Sequence, residues 1–475
     1  MNTLDSNVPV RLSRFVHFVD FGKDTTAIYN ALSQAVVYVP ESVSAIIKTI
    51  GGKTLDEMTC KHFHGYETEA REFLQQLWHL RMLLEEGEDE LVEVDLLKEM
   101  LEIPQITILY LILTDICNIG CKYCFFEGGI PEGHEFSMMS FETAKQGVDL
   151  FARSLNQDLL ADSTEGPRII LYGGEALLNW DVGKQVLEYI EECISLGELP
   201  ENTGITLNTN GILITPEIAA TLAKHNVSVA ISVDGPKEVH DLMRVDHLGK
   251  GTFDRVMHGL RTARQTGCNV SACCTIDEHN LDILPAVTTW LVKELDVQGF
   301  GFNTLLECNA RRIERPLPYS HAVASALIES FKIARKHGVY EDRFMRKVNA
   351  FVEGNFYFSD CGGCGMQIVM SPEGYIGTCH AYCGTKEYFV RYDPAIDPNQ
   401  HPFWREWRRR SPINMEGCYD CIALANCGGG CPHNAALVAG SIWEKDTSFC
   451  PHATEAVRFL IEDLYRIRSE SQPSS

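Results

Sequence analysis

The stretch "TDICNIGCKYCFFEG", residues 114–128, places Cys117, Cys121 and Cys124 in one short loop with gaps of three and two residues. A metal that a protein only holds is normally closed by four ligands, in structural zinc and in ordinary iron-sulfur clusters alike. Three thiolates leave one position open, and an open position is where a substrate or cofactor binds. The loop therefore points to chemistry more than to architecture. A zinc site completed by a distant side chain is the plainer alternative.

Further downstream, Cys364 is followed after nine residues by Gly374 and after four more by Cys379; then come Cys418-x2-Cys421-x5-Cys427-x3-Cys431 and finally Cys450. Eighteen cysteines in a long chain without a secretion signal indicate metal or redox chemistry, not a disulfide scaffold. "LYGGEALL" offers Gly173, Gly174 and Glu175: glycines let backbone approach a ligand closely, and a carboxylate accepts bonds from an ammonium group. "TNG" carries Asn210, and "SVDGP" followed by "HDLMR" carries Ser232, Asp234 and Arg244. Tight turns and a surface arginine are the ordinary reading of such tripeptides.

The elements that must position these residues are legible as alternation. From about 106 to 310, short β-rich runs alternate with segments of helical period, the pattern of βα units. Six strand candidates appear: "ITILYLILTDIC", "PRIILYGGE", "GITLNTNG", "VSVAISVDG", "VSACCTIDE" and "FGFNTLLE". The intervening "SFETAKQGVDLFARSL", "TPEIAATLAKHN" and "TFDRVMHGLRTARQTG" open on Ser or Thr at an expected cap. Six such units predict an open or partial barrel with the motif-bearing loops at the carboxyl ends of its strands. Residues 1–100 read as a separate α+β unit, in which "RFVHFVDF" and "QAVVYVP" are strands and "ESVSAIIKTI" and "ETEAREFLQQLWHLRMLLEE" are helices. Residues 361–450 are cysteine- and glycine-rich with little regular pattern, and "HATEAVRFLIEDLYRIRSE" is a closing helix.

Composition, 45% hydrophobic and 22% charged, is that of a globular chain with room for two to four domains. Its net charge of -24 repels a phosphate backbone, which argues against nucleic acid; "WREWRRR", residues 404–410, reads as a solvated helix face. No segment reads as a signal peptide or a membrane span, and the expected location is the cytoplasm.

The cysteine loop at the end of an apolar strand resembles the radical S-adenosylmethionine (radical SAM) superfamily. In that family a 4Fe-4S cluster on three cysteines leaves one iron for the amino and carboxylate groups of SAM, and electron transfer yields a 5′-deoxyadenosyl radical. The resemblance implies that Cys117, Cys121 and Cys124 hold this cluster and that Gly173, Gly174 and Glu175 receive the SAM amino group. It assigns Tyr123, Asn210, Ser232 and Arg244 to SAM binding as well. The downstream spacing resembles the SPASM pattern of auxiliary-cluster domains. Family interleaving then gives one 4Fe-4S cluster to Cys361, Cys364, Cys379 and Cys431 and another to Cys418, Cys421, Cys427 and Cys450, three clusters in all. Among the remaining cysteines, Cys193, Cys268, Cys273 and Cys274 read as core residues, while Cys308 and Cys383 stay open.

Sulfatase maturases of this group carry an acidic base directly after the cysteine matching Cys379; here the residue is His380, which could accept a proton instead. Residues 1–100 resemble, at fold level, the winged-helix recognition unit of peptide maturases, where an extended leader adds to a sheet edge. The fold expected is thus α/β: a partial (β/α)6 TIM-like barrel over 101–340, an N-terminal winged-helix-like α+β domain over 1–100, and a C-terminal iron-sulfur SPASM domain with its helix over 341–475. The activity expected is an intramolecular cross-link, carbon-carbon, carbon-oxygen or thioether, in a ribosomally synthesised precursor peptide. Expected partners are that peptide with its leader and an external electron donor such as flavodoxin or ferredoxin, with neither nucleic acid nor membrane. The alternatives are a sulfatase-maturase-like enzyme acting on a protein side chain and a non-enzymatic iron-sulfur electron carrier; formation of 5′-deoxyadenosine separates the carrier from the enzymes.

Overall fold

The computed structural model describes residues 4–22, 24–156, 166–295, 297–305 and 317–471. Its strands, in chain order, are β1 (Val10–Leu12), β2 (Val16–Asp20), β3 (Thr25–Asn30), β4 (Val36–Pro40), β5 (Leu83–Glu85), β6 (Ile108–Thr114), β7 (Arg168–Gly173), β8 (Gly204–Thr209), β9 (Ser228–Ser232), β10 (Asn269–Ile276), β11 (Gly299–Thr304), β12 (Tyr340–Glu341), β13 (Gln367–Met370), β14 (Tyr375–Gly377) and β15 (Phe389–Arg391).

β6 to β11 lie parallel in sequence order, and each coincides with one of the six expected runs. Helices Phe141–Ser154, Trp180–Ser195, Pro216–Lys224, Phe253–Gln265 and Leu284–Glu294 make the crossovers. Aliphatic residues of β6 to β10, such as Leu109, Leu111, Leu171, Leu207, Val229 and Ala272, pack against those helices in one continuous core. Ser140 and Thr215 cap their helices by accepting from Thr143 N and Ile218 N, each worth about 1 kcal/mol. Thr252 differs from the expectation: it is buried, and its hydroxyl donates to Arg244 O instead of capping its helix. The ten-stranded sheet is open, running from β12 at one edge to β15 at the other.

The C-terminal region is more regular than its sequence suggests. β13 adds parallel to β6, and β14 and β15 continue antiparallel, so residues beyond 341 extend the barrel sheet. Strands of three or four residues are too short to show a period in a glycine-rich stretch. Gly374, at φ +82, makes the turn between β13 and β14, which fixes the path from Cys364 to Cys379.

The N-terminal residues form an antiparallel sheet β2-β3-β4, a small pair β1-β5, and helices Glu41–Ile47, Leu55–His62, Glu67–His79 and Leu91–Met100. The long helix expected over 67–86 stops at His79, and Arg81 turns at φ 56. Leu83–Glu85 then pairs with Val10–Leu12, a tertiary pairing that overrides local helical period. One face of the three-stranded sheet, with Ile28 and Val39, packs on the unit's own helices; the other, with Val19, Ala27 and Tyr29, packs against Phe344, Phe351, Leu424 and Val457. The N-terminal unit is therefore docked on the C-terminal one. Among the described residues, no helix is long and apolar enough to cross a membrane.

Candidate functional site

The loop after β6 is clamped from three sides. Gly174 N and Glu175 N donate to Thr114 O and Ile116 O, each at 2.9 Å. A Cβ on Gly173 would lie 2.2 Å from Thr114 O, and one on Gly174 2.3 Å from Ile116 O, so only glycine allows the end of β7 to approach the cysteine loop this closely. Asn210, following β8, donates from Nδ2 to Asn118 Oδ1 at 2.8 Å. On the third side Gly120 N and Lys122 N donate to Val245 O and Met243 O, and the His247 ring is 3.0 Å from Cys117 O.

Glu175 is 1% exposed. Its Oε1 accepts from Leu177 N and the Thr209 hydroxyl, and its Oε2 accepts from Asn210 N. Burial pushes its carboxyl pKa up, against those three bonds. The carboxylate first of all ties the ends of β7 and β8 together; one lone-pair site on Oε2 remains. Arg244 is likewise committed: Nε donates to Asp234 Oδ2 at 2.8 Å, Nη1 is 3.9 Å from Cys121 Sγ, and the guanidinium lies 5.4 Å from the Tyr123 ring centre. The Tyr123 hydroxyl donates to Asp234. Ser232 ends β9 half-buried, in register with Cys273. Gly173, Gly174, Glu175, Asn210, Tyr123 and Arg244 thus converge on one loop, while Ser232 stands at the strand end behind them.

Burial pushes the Cys117 thiol up to about 12 and the Cys121 thiol up to about 11, the latter against the pull of Arg244. A buried thiolate needs a compensating cation, and metal coordination provides one. All seventeen described cysteines are free thiols. Among the described residues, the one group of three potential ligand atoms within 4.8 Å of one another is Asp115, His134 and Glu373, with no cysteine.

The downstream cysteines fall into two sets by mutual influence. After burial, the neighbours that raise the Cys379 thiol are Cys361 and Cys364, and those that raise Cys431 include Cys361 and Cys379. Cys427 feels Cys450 and Cys421, and Cys450 feels Cys421 and Cys418. Cys361, Cys364, Cys379 and Cys431 are thus neighbours, as are Cys418, Cys421, Cys427 and Cys450. His380 packs between the barrel and the first set: its ring stacks on Tyr110 at 4.9 Å and lies 5.1 Å from Tyr172 and 5.7 Å from Phe125. Burial lowers its pKa to about 4, and Nδ1 has no hydrogen-bond partner.

Charged groups brace this region from within. Lys347, fully buried, donates to Asp360 Oδ1 at 2.9 Å and to Cys427 O at 2.7 Å. Residues 404–410 are solvated on one face only: Arg405 and Arg409 are exposed, whereas Trp404, Trp407 and Arg410 are fully buried, and Arg410 donates to Gly429 O, Glu444 O and Ile442 O. These carbonyls lie in glycine-rich loops whose orphaned acceptors the guanidinium satisfies, a tertiary role that a charge run does not reveal. Cys193 and Cys274 are core residues, Cys268 and Cys273 are half-buried, and Cys383 is buried beside Lys386; Cys308 lies outside the described residues. Sequence reasoning passed over Asn118, His247, Tyr110 and Tyr172. Two tyrosines on otherwise aliphatic parallel strands were the available signal for the last pair.

Residues 111–284 match the Radical SAM superfamily model. The radical SAM cyclopropyl synthase TigE of Paramaledivibacter caminithermalis is 24% identical over 383 residues, 75% of this chain and 74% of that protein. A serine-type anaerobic sulfatase-maturating enzyme of Bacteroides thetaiotaomicron is 25% identical over 40% of this chain and 44% of its own length. Among solved structures, native anSMEcpe with bound AdoMet and Cp18Cys peptide superposes with a TM-score of 0.62 at 19% identity, covering 77% of this chain and 100% of that one. Streptococcus suis SuiB bound to S-adenosylmethionine gives 0.55 at 13% identity over 94% of this chain and 100% of that one. With its cysteine loop on the first strand of a parallel sheet and its Gly-Gly-Glu holding that loop, the segment 111–284 is a radical SAM domain, and the chain is similar in sequence to TigE and to a sulfatase-maturating enzyme.

Proposed function

We propose that the chain is a cytoplasmic SPASM-type radical SAM enzyme that cross-links a ribosomally synthesised precursor peptide within itself. The observation that carries this reading is the N-terminal sheet β2-β3-β4, which ends in two edge strands and sits docked on the C-terminal region. Such an edge can add an extended leader peptide as a further strand. The fold match to SuiB over 94% of the chain leaves too few residues unmatched to omit this unit, whereas the sulfatase-maturase match covers 77%. The cyclopropyl synthase relative is named for a ring closure, which supports bond formation within one substrate.

In this reading residues 1–100 recognise the leader, 101–340 form the barrel and 341–475 the auxiliary domain. Cys117, Cys121 and Cys124 would hold the SAM-binding cluster; the two downstream sets of four thiols would hold the auxiliary clusters. When bound, cluster and SAM supply a 5′-deoxyadenosyl radical able to take hydrogen from carbon. Gly173, Gly174 and Glu175 keep the cysteine loop and the end of β8 in place, and Asp234 orients Tyr123 and Arg244 beside Cys121. His380 Nδ1, neutral and free of partners, would accept the proton released as the new bond closes, and an auxiliary cluster on Cys361, Cys364, Cys379 and Cys431 would take up the electron released with it. With four thiols for each auxiliary cluster, a substrate thiolate has no evident place on iron, which favours a link to an aromatic ring. An external flavodoxin or ferredoxin supplies the electrons.

The test is co-expression with candidate precursor peptides, taken first from any short reading frame encoded beside this chain. A mass lower by two hydrogens is expected, together with 5′-deoxyadenosine from the anaerobically reconstituted, dithionite-reduced protein. Replacing Cys117, Cys121 and Cys124 by Ala should abolish both. Unchanged peptide mass sinks the cross-linking reading, and absence of 5′-deoxyadenosine sinks the enzyme.

A further inference from the structure

Three chain segments leave cluster-bearing cysteines and meet around one cavity of about 230 Å³. Phe125 follows Cys124, Ala381 and Tyr382 follow Cys379, and His433 and Leu437 follow Cys431. A group seated here lies between the SAM-cluster loop and the first auxiliary set. We propose that this cavity is a recess for one basic side chain of the peptide substrate, a lysine or an arginine, paired at the mouth with Glu387. The proposal rests on the peptide-modifying reading above and adds to it the kind of residue the substrate carries beside its reacting carbon.

Four observations point to that occupant. Glu387 lines the mouth, is exposed, and has no ion-pair partner among the described residues. The neighbouring cation does not neutralise it: Lys386 Nζ donates to Glu373 at 2.8 Å and to Cys383 O at 2.6 Å. Phe125 and Tyr382 give the recess aromatic walls, the surface over which a guanidinium or ammonium is favoured. Finally, His433 is only 6% exposed, lines the cavity, and leaves Nδ1 without a hydrogen-bond partner. A buried ring nitrogen without a partner is unfavourable, and a donor entering the recess supplies the missing bond. Leu437 and Ala381 offer apolar surface to the methylenes of a long side chain, whose charged end stays at the carboxylate.

The probe is acetyl-Gly-Arg-Gly-amide against its uncharged isostere acetyl-Gly-citrulline-Gly-amide, read by saturation-transfer NMR on the full chain with its clusters reconstituted. The arginine peptide should bind about tenfold more tightly than the citrulline one, as one charge-assisted pair implies. Glu387→Gln should remove that difference, Glu387→Lys should transfer the preference to acetyl-Gly-Glu-Gly-amide, and His433→Phe should weaken arginine binding while keeping a ring. Glu198→Gln, an exposed acid far along the chain, controls for unspecific attraction to a chain of net charge -24 and should change nothing. Equal binding of the two peptides, or a preference that survives Glu387→Gln, overturns the recess. 5′-Deoxyadenosine from the wild-type protein reads the enzyme assignment independently: arginine binding without it would leave the recess standing and remove the enzyme, and the reverse would remove the recess alone.

Discussion

At the scale of single residues, the site is held by backbone proximity more than by charge. Gly174→Ala puts a methyl 2.3 Å from Ile116 O and 2.9 Å from Asp115 O, both backbone atoms in the approach to Cys117. The loop must move, at a cost of about 2–3 kcal/mol. The expected outcome is a folded protein with iron reduced by one cluster's worth and no 5′-deoxyadenosine, measured by iron analysis and SAM turnover. Glu341 makes a different residue-scale prediction. Its carboxylate caps helix Asp342–Glu353, accepting from Arg343 N and Phe344 N, yet burial raises its pKa from 4.5 to about 7. A folded-state pKa above the unfolded one means the native state binds the proton more tightly. The associated stability is therefore fully present below pH 4.5 and is lost as pH rises through about 7, a change of about 3 kcal/mol. Glu341→Gln should flatten that decline, seen as a smaller drop in Tm between pH 5 and pH 8 than the wild type shows.

At the scale of elements, the contact between the N-terminal sheet and the C-terminal region matters most. Gln34 lies at its centre: Nε2 donates to Ala350 O at 2.9 Å and Asn355 O at 2.7 Å, and Oε1 accepts from Asn426 Nδ2 at 3.0 Å. Gln34→Ala removes all three bonds from the contact, although Ala350 O keeps Asn355 N and Asn426 Nδ2 keeps Lys347 O, at about 1–2 kcal/mol. Proteolysis between residues 85 and 105 should speed up while the clusters stay intact, as judged by their absorbance; an unchanged cleavage rate would show that the apolar contact alone holds the unit. This docking is also where the sequence was least informative. β6 to β11 were readable because short β-rich runs, continuous and apolar in β6 and β7 and alternating in β8 and β10, recur between segments of helical period, and the cysteine spacings were readable because they match a ligation pattern. β1, β5 and β13 to β15 were not, since three- or four-residue strands exist only through pairing with distant partners. Residues 404–410 were half legible for a related reason: Arg405 and Arg409 are exposed as a charge run suggests, but Arg410 looks solvated until loops from 429 to 444 wrap it. The role of Glu175 was half legible, its position clear from the motif and its three internal bonds visible only in the fold.

At the scale of the whole molecule, two kinds of stabilisation coexist and should separate when metal is removed. The parallel sheet buries a large aliphatic core that owes nothing to the cysteines. Residues 361–450, in contrast, join short strands and turns of 3–8 residues through eight thiols whose burial is unfavourable without a compensating cation. Ile413, Leu424 and helix Cys450–Ser471 from this region form the floor on which the N-terminal sheet rests. Chelating the iron should therefore leave the β6 to β11 amides protected from hydrogen exchange, while protection falls in 361–450 and, through the shared floor, in β2 to β4 as well. Peptide binding at the N-terminal edge would then depend on clusters it never touches. Loss of protection confined to 361–450, with β2 to β4 unchanged, would mean that the floor keeps its shape without metal and that the two ends of the enzyme are mechanically independent.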